Sequence, residues 1–209
     1  MNILRQKNQI FEQCKDMLLS LVLSALLGVL VSLVANYFVM TVKWFATLRF
    51  SSNSFFEMNG LSFAPILWLF LAVFTLYFVR KIFGIDRWHG PADAVYACHR
   101  TDNELDLKKG IGSTFAALVS LCGGAPVGQY GPLVNFGATI GSFVSEFLKA
   151  RAFTPEILMG CGVAAAISAG FHAPIAGIIF AHEAVLRHFS LRALVPIAVA
   201  SATSAAFGN

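Results

Sequence analysis

The chain has 209 residues, of which 57% are hydrophobic and only 12% charged, with a mean hydropathy of +0.71. Soluble domains carry roughly 25% charged residues, so this composition excludes an ordinary water-soluble domain and points to an integral, multi-pass membrane protein. The formal net charge of +4 is modest, and no nucleic-acid partner is expected.

In chain order, residues 1–16 read as a short cytoplasmic N-terminal arm, amphipathic or loose, and residues 17–209 as one transmembrane domain. Residues 17–42 and 61–79 are apolar runs near or above the ~20 residues that cross a bilayer. The first is too long for the apolar stretch of a signal peptide. Between them, residues 43–60, with Trp44, Phe45, Phe55 and Phe56, suit an interfacial loop. Arg5, Lys7 and Lys15 precede the first run, Arg80, Lys81 and Arg87 follow the second, and Lys43 and Arg49 lie between. Three cations against two place the N-terminus in the cytoplasm by a narrow margin.

Residues 86–109 are the most charged stretch. Gly90-Pro91 breaks it, and the proline suits the first position of a helix over residues 91–100, followed by an exposed turn over 101–106. From 110 to 148 Glu146 alone is ionised at neutral pH, pairing most simply with Lys149. A loop splits this region into apolar pieces at 111–121 and 132–148. Residues 155–185 are rich in small residues, and Pro174 and Gly177 interrupt them. Small residues let membrane helices approach closely, a meaning shared by Gly137-x-x-x-Gly141. A last apolar piece covers 191–207. Two full spans followed by short, Gly/Pro-broken pieces are the organisation of transporters whose discontinuous helices meet at the bilayer midplane.

The splitting loop, Gly123-Gly124-Ala125-Pro126-Val127-Gly128-Gln129-Tyr130-Gly131-Pro132, carries the chemistry. Irregular backbone at membrane depth survives only where protein or water covers it. With Pro132 at the first position of the next helix, the amides around 130–133 are orphan donors backed by the positive end of the helix dipole. An anion is their natural ligand. Gly128 and Gly131 remove Cβ atoms that would hold an ion away. No Lys or Arg lies in the loop, which favours passage over capture.

These residues resemble the signature of the CLC family of chloride channels and proton/chloride antiporters. Gly128-Gln129-Tyr130-Gly131-Pro132 stands where the family has Gly-Arg-Glu-Gly-Pro. Phe171-His172-Ala173-Pro174-Ile175-Ala176-Gly177, followed by Phe180-Ala181-His182-Glu183, is similar to the family's Phe-Asn-Ala-Pro-Leu-Ala-Gly and Phe-x-x-Glu. The resemblance implies an all-α membrane fold of short, tilted, broken helices. It also implies two inverted halves around an anion path, a homodimer with one pore per subunit, and a site in a bacterial inner membrane. Only the N-terminal half is matched, so a missing C-terminal half of the same fold is an expected partner. The chain is then either a fragment or a half-length protein that pairs with itself.

The departures bear on function. The family's gating glutamate falls on Tyr130, and a phenol donates a hydrogen bond to an anion but does not shuttle protons at neutral pH. The family's inner proton-transfer glutamate falls on Ala184, with Glu183 beside it as a stand-in for a proton path. The family's Gly-Ser-Gly-Ile-Pro loop falls on Arg87-Trp88-His89-Gly90-Pro91, which keeps the helix start but puts Trp88 or His89 at the anion-contacting serine. An imidazolium at His89 would attract anions; the alternative is a packed or solvent-facing ring.

The expected pore set is therefore Gly128, Gln129, Tyr130, Gly131, Pro132, His89, Gly90 and Pro91, with Tyr130 as gate. Chloride or a similar anion is the expected substrate, moved passively and without protons. A proton/chloride antiporter is the alternative, and a non-conducting scaffold or regulatory protein the alternative of another class. Neither cofactor nor metal is expected. The His and acidic residues of 86–109 form no metal motif, His182-Glu183 lacks the second histidine of a zinc protease, and no enzyme site is found. His172 reads as a buried, satisfied imidazole. Glu183 reads either as functional or as paired with Arg187 at i+4. Cys14, Cys98, Cys122 and Cys161 read as small buried hydrophobes.

Overall fold

The computed structural model describes residues 2–52, 57–58, 61–100, 105–148 and 154–208. It is built from α1 (Asn2–Ser52), a two-residue antiparallel ladder of β1 (Glu57–Met58) and β2 (Leu61–Ser62), and α2 (Ala64–Phe83). The helices α3 (Pro91–Cys98), α4 (Leu107–Cys122), α5 (Tyr130–Leu148), α6 (Pro155–Phe171), α7 (Pro174–Phe180), a π-helical turn (Ala181–Leu186) and α8 (Leu191–Phe207) follow.

The first helix corrects one expectation. It is 51 residues long, with residues 2–16 running into the first span as one rod, and the expected interfacial loop over 43–60 is helical as far as Ser52. Neither glycine nor proline stands between Gly28 and Ser52 to stop it. Ser20, Ser24, Leu27, Val31, Ala35 and Phe38 are buried at spacings of three and four, while Leu18, Val22, Leu26, Leu30, Leu33 and Tyr37 are exposed. One face thus packs on protein, and the other presents hydrocarbon that water would penalise. Met17–Ser51 and Ala64–Phe83 are long and apolar enough to cross a membrane. In α2, Ala64, Ala72 and Val79 are buried, and Ile66, Phe70, Phe74, Tyr77 and Ile82 are exposed. The second span begins at Ala64 because residues 61–62 pair as a strand.

At the centre lies α6, whose residues from Leu158 to Val163 and on through Ala166, Ser168 and Ala169 are buried. It packs on α5, α8, α1 and α7. A Cβ added to Gly137 would fall on the carbonyl of Gly162, one added to Gly162 on the carbonyl of Gly137, and one added to Gly141 on the carbonyl of Leu158. Numbers rise along one helix as they fall along the other, so α5 and α6 are antiparallel and meet backbone to backbone. The Gly137-x-x-x-Gly141 pair therefore serves as expected.

Helix carbonyls satisfy the buried hydroxyls of this small-residue core. Ser168 Oγ donates to Ser201 O at 2.7 Å, Ser201 Oγ to Pro174 O at 2.8 Å, and Ser204 Oγ to Ala165 O at 2.7 Å. The segment expected as one small-residue piece is divided by Ala173-Pro174. His172 ends α6 in the left-handed conformation with φ 51°.

Candidate functional site

The loop after α4 is turned by Gly124, whose φ of 94° suits a residue without Cβ. The amides of Gly123, Gly124 and Ala125 are spent on the carbonyls of Val119, Leu121 and Ser120, closing the end of α4. The C-terminal reach of α1 brings Arg49 here. Its guanidinium lies where a Gly124 Cβ would point, and Nη1 donates to Cys122 O at 3.5 Å. The sequence shows no cation in the loop, yet the fold delivers one. Residues 43–52 read as an interfacial loop gave no reason to look for it.

Beyond this turn Gly128 faces open space, with nothing within 4 Å of a Cβ. The next helix begins at Tyr130, two residues earlier than expected, which makes Pro132 its third residue rather than its first. The position costs nothing, because the first-turn amides have no intrahelical partner and a proline there forfeits none. Tyr130 and Gly131 are the residues whose orphan N–H groups open α5. Among the described residues, no side chain accepts a hydrogen bond from this first turn. Thr114 Oγ1 braces the turn from the other side, donating to Pro132 O at 3.2 Å.

The Tyr130 ring is tilted against Phe171, with centroids 4.1 Å apart, and Gly170 leaves room for it: a Cβ there would lie 2.5 Å from Tyr130 Cδ1. The two family-like segments therefore touch through Tyr130 and Gly170-Phe171. His172 is exposed, not buried as expected. A left-handed helix end is a position that Asn, Asp and His adopt more readily than other residues with a Cβ. Asn36, Lys43, Gln129, Tyr130, Ala169 and His172 line one open cleft of about 730 Å³.

The second loop stands beside the first. A Cβ on Gly131 would lie 3.5 Å from Pro91 Cγ, so the starts of α5 and α3 are adjacent. The start of α3 is already occupied. Asp93 accepts from the Gly90 amide through Oδ2 at 2.8 Å and pairs with Arg87 through Oδ1. A carboxylate thus sits at the dipole's positive end, where an external anion would otherwise bind. The His89 amide donates to Ser113 Oγ at 2.9 Å, and His89 Nδ1 is buried without a hydrogen-bond partner. Ser113, from α4, was not among the expected residues; it places a hydroxyl beside the loop that lacks the family's serine. Trp88 is 44% exposed. His89, Arg87, Asp93, Arg100, Lys109 and Glu146 line a second cleft of about 530 Å³. Tyr130, Gly131, Pro91, Gly90 and His89 form a short run from one cleft to the other.

Glu183 is exposed and lies in the π-helical turn. Of its two readings, the pairing with Arg187 is not present among the described residues, for Arg187 has left the helix with φ 57°. The wider π turn also takes i+4 out of register. His182 is buried, with Nδ1 at 3.0 Å from Ile178 O and Nε2 unpartnered. Cys98 Sγ contacts Met159 Sδ at 3.7 Å, and Cys161 Sγ lies 3.5 Å from Ser24 Oγ, both buried as expected; Cys122 is half-buried. No group of three or more potential metal ligands occurs among the described residues. Lys149 and the turn over 101–104 lie outside the described residues, and so does the Glu146–Lys149 pair.

Residues 71–209 match the family described as voltage gated chloride channel. A putative ClcB-like chloride channel protein of Ralstonia nicotianae is 31% identical over 119 residues, 55% of this chain and 28% of that protein. An H(+)/Cl(-) exchange transporter, ClcA, of Vibrio cholerae is 29% identical over 213 residues, 93% of this chain and 43% of that protein. A crystal structure of a slow cyanobacterial Cl−/H+ antiporter has a similar fold, with TM-score 0.68 at 21% identity, over 90% of this chain and 46% of that one. The chain thus spans less than half the length of the relatives it matches.

Proposed function

The chain belongs to the voltage-gated chloride channel family, and we propose that it supplies the N-terminal half of a transmembrane path for chloride or a similar small anion, moved passively and without protons. The observation that carries this reading is Tyr130 at the head of α5. The uncapped first turn of that helix offers amide donors to an anion, while the side chain over it is a phenol in place of the family's gating carboxylate. Gln129 and Tyr130 flank the anion on one side. The buried, unpartnered His89 Nδ1 offers a polar atom on the other, taking up the role of the family's serine together with Ser113. Gly128 and Gly131 keep the backbone bare, Pro91 fixes the start of α3, and Pro132 lies in the first turn of α5. Gly90 contributes only backbone, since its amide is held by Asp93.

The surroundings are a bilayer, with the N-terminus on the cytoplasmic side of a bacterial inner membrane. The complete pore needs the second half of the fold and a homodimeric assembly. The test is reconstitution of the complete protein in liposomes with imposed chloride and pH gradients. The expected result is a chloride reversal potential that follows the chloride gradient alone; a shift with the pH gradient overturns proton independence. Exchange is the second reading, favoured by the names of the Vibrio relative and the cyanobacterial neighbour, with the exposed Glu183 as its proton acceptor. Anion uptake no higher than in empty vesicles would favour a scaffold instead.

A further inference from the structure

We propose that Lys43 is the fixed charge that draws anions into the cleft above Tyr130, so that the end of α1 forms an electrostatic vestibule. This rests on the pore reading given above. Asn36, Met40 and Lys43 lie four and three residues apart on α1, one helix face, and all three line the cleft that Gln129, Tyr130 and His172 close. Among the described residues, the lining of this cleft includes no Asp or Glu. Lys43 is exposed and is, among those described residues, the one lining group with a permanent charge. The family-like loop itself holds no cation. A charge set apart from the amides raises the local anion concentration without tightening the bound state, so it speeds entry and leaves exit unhindered. The other cleft is different in kind, since Arg87, Arg100 and Lys109 share it with Asp93, Asp106 and Glu146 and its charges largely offset.

The experiment measures initial chloride flux through the complete reconstituted protein at fixed chloride, with ionic strength varied by an impermeant salt. Lys43→Gln is expected to slow flux roughly three- to ten-fold at low ionic strength, because a single charge accounts for the lower end of cleft focusing. The deficit should fall below about two-fold at ~1 M salt, where screening reaches within ~3 Å. Lys43→Arg should behave as wild type. On Lys43→Cys, read against the same reagents applied to wild type with its native cysteines, a cationic thiol reagent should raise flux and an anionic one lower it, comparing charges on one folded protein. Equal rates for wild type and Lys43→Gln at both ionic strengths overturn the proposal, as does the same effect from both reagents, while the pore reading stands. Wild-type flux no greater than that of empty vesicles overturns both.

Discussion

Tyr130 meets the rest of the site through contacts that leave little slack. Its ring is confined between Phe171 and the bare backbone of Gly170. Gly170→Ala would force the ring aside, and a change of several-fold in chloride flux is expected with the protein still eluting as a single species on size exclusion; unchanged flux would argue that the ring does not gate. Tyr130→Glu restores a titratable group over the first turn of α5, and the expected outcome is a flux that depends on pH, measured in the same liposomes as wild type. Invariant flux between acid and neutral pH would mean that the head of α5 does not face the anion. At Ser201, whose Oγ donates to Pro174 O, alanine removes a hydrogen bond between α8 and the start of α7 but leaves that carbonyl its own helical partner. A loss of about 0.5–1.5 kcal/mol is expected, read as a lower midpoint in a thermal-aggregation assay.

At the scale of the elements, the decisive contact is the antiparallel seam of α5 on α6. Gly137 and Gly162 each occupy the place where the other's Cβ would stand. Gly162→Ala is expected to destabilise by about 1–3 kcal/mol through overpacking, and Gly162→Leu to abolish a monodisperse preparation. Normal stability of the leucine variant would show that the seam can open. Much of this level was legible in the residues. Pro91, Pro155 and Pro174 mark helix starts because proline fixes φ and needs no amide partner. The end of α1 was not legible: Trp44 and Phe45 suit an interface as well as a helix, and no local residue reports that Arg49 meets a turn some 73 positions later. The start of α5 was misplaced by two residues for a related reason, since a proline is tolerated anywhere in a first turn. The π-helical turn was hidden too, because nothing in Ala181–Leu186 distinguishes it from an α-helix.

For the molecule as a whole, composition alone led to a membrane setting, and the exposed faces of α1 and α2 are where that reading is tested. Phe70, Phe74 and Tyr77 are each more than 60% exposed. A photoreactive probe confined to the lipid phase is expected to label α2 and to spare α6, as read by peptide mapping; labelling of α6 in preference to α2 would contradict the arrangement. Site residues from distant parts of the chain gather where α5 closes on the small residues of α6 and where α3 packs on α5. The sequence pattern supplied the two loops but not their contact, since the nearness of Gly131 to Pro91 depends on how α3, α4 and α5 pack.

The long first helix has a mechanical corollary. Its grip on the core is centred near Val31, while Lys43 and Arg49 lie farther along the rod, with Arg49 about 27 Å from that fulcrum at 1.5 Å per residue. A tilt of about 5° would swing Arg49 by roughly 2 Å, enough to part it from the Cys122 carbonyl, and would shift Lys43 by about 1.6 Å in the same stroke. Whatever leans on this lever, a thicker bilayer or a neighbouring subunit, would act on the turn at Gly124 and on the cleft beside Tyr130 together.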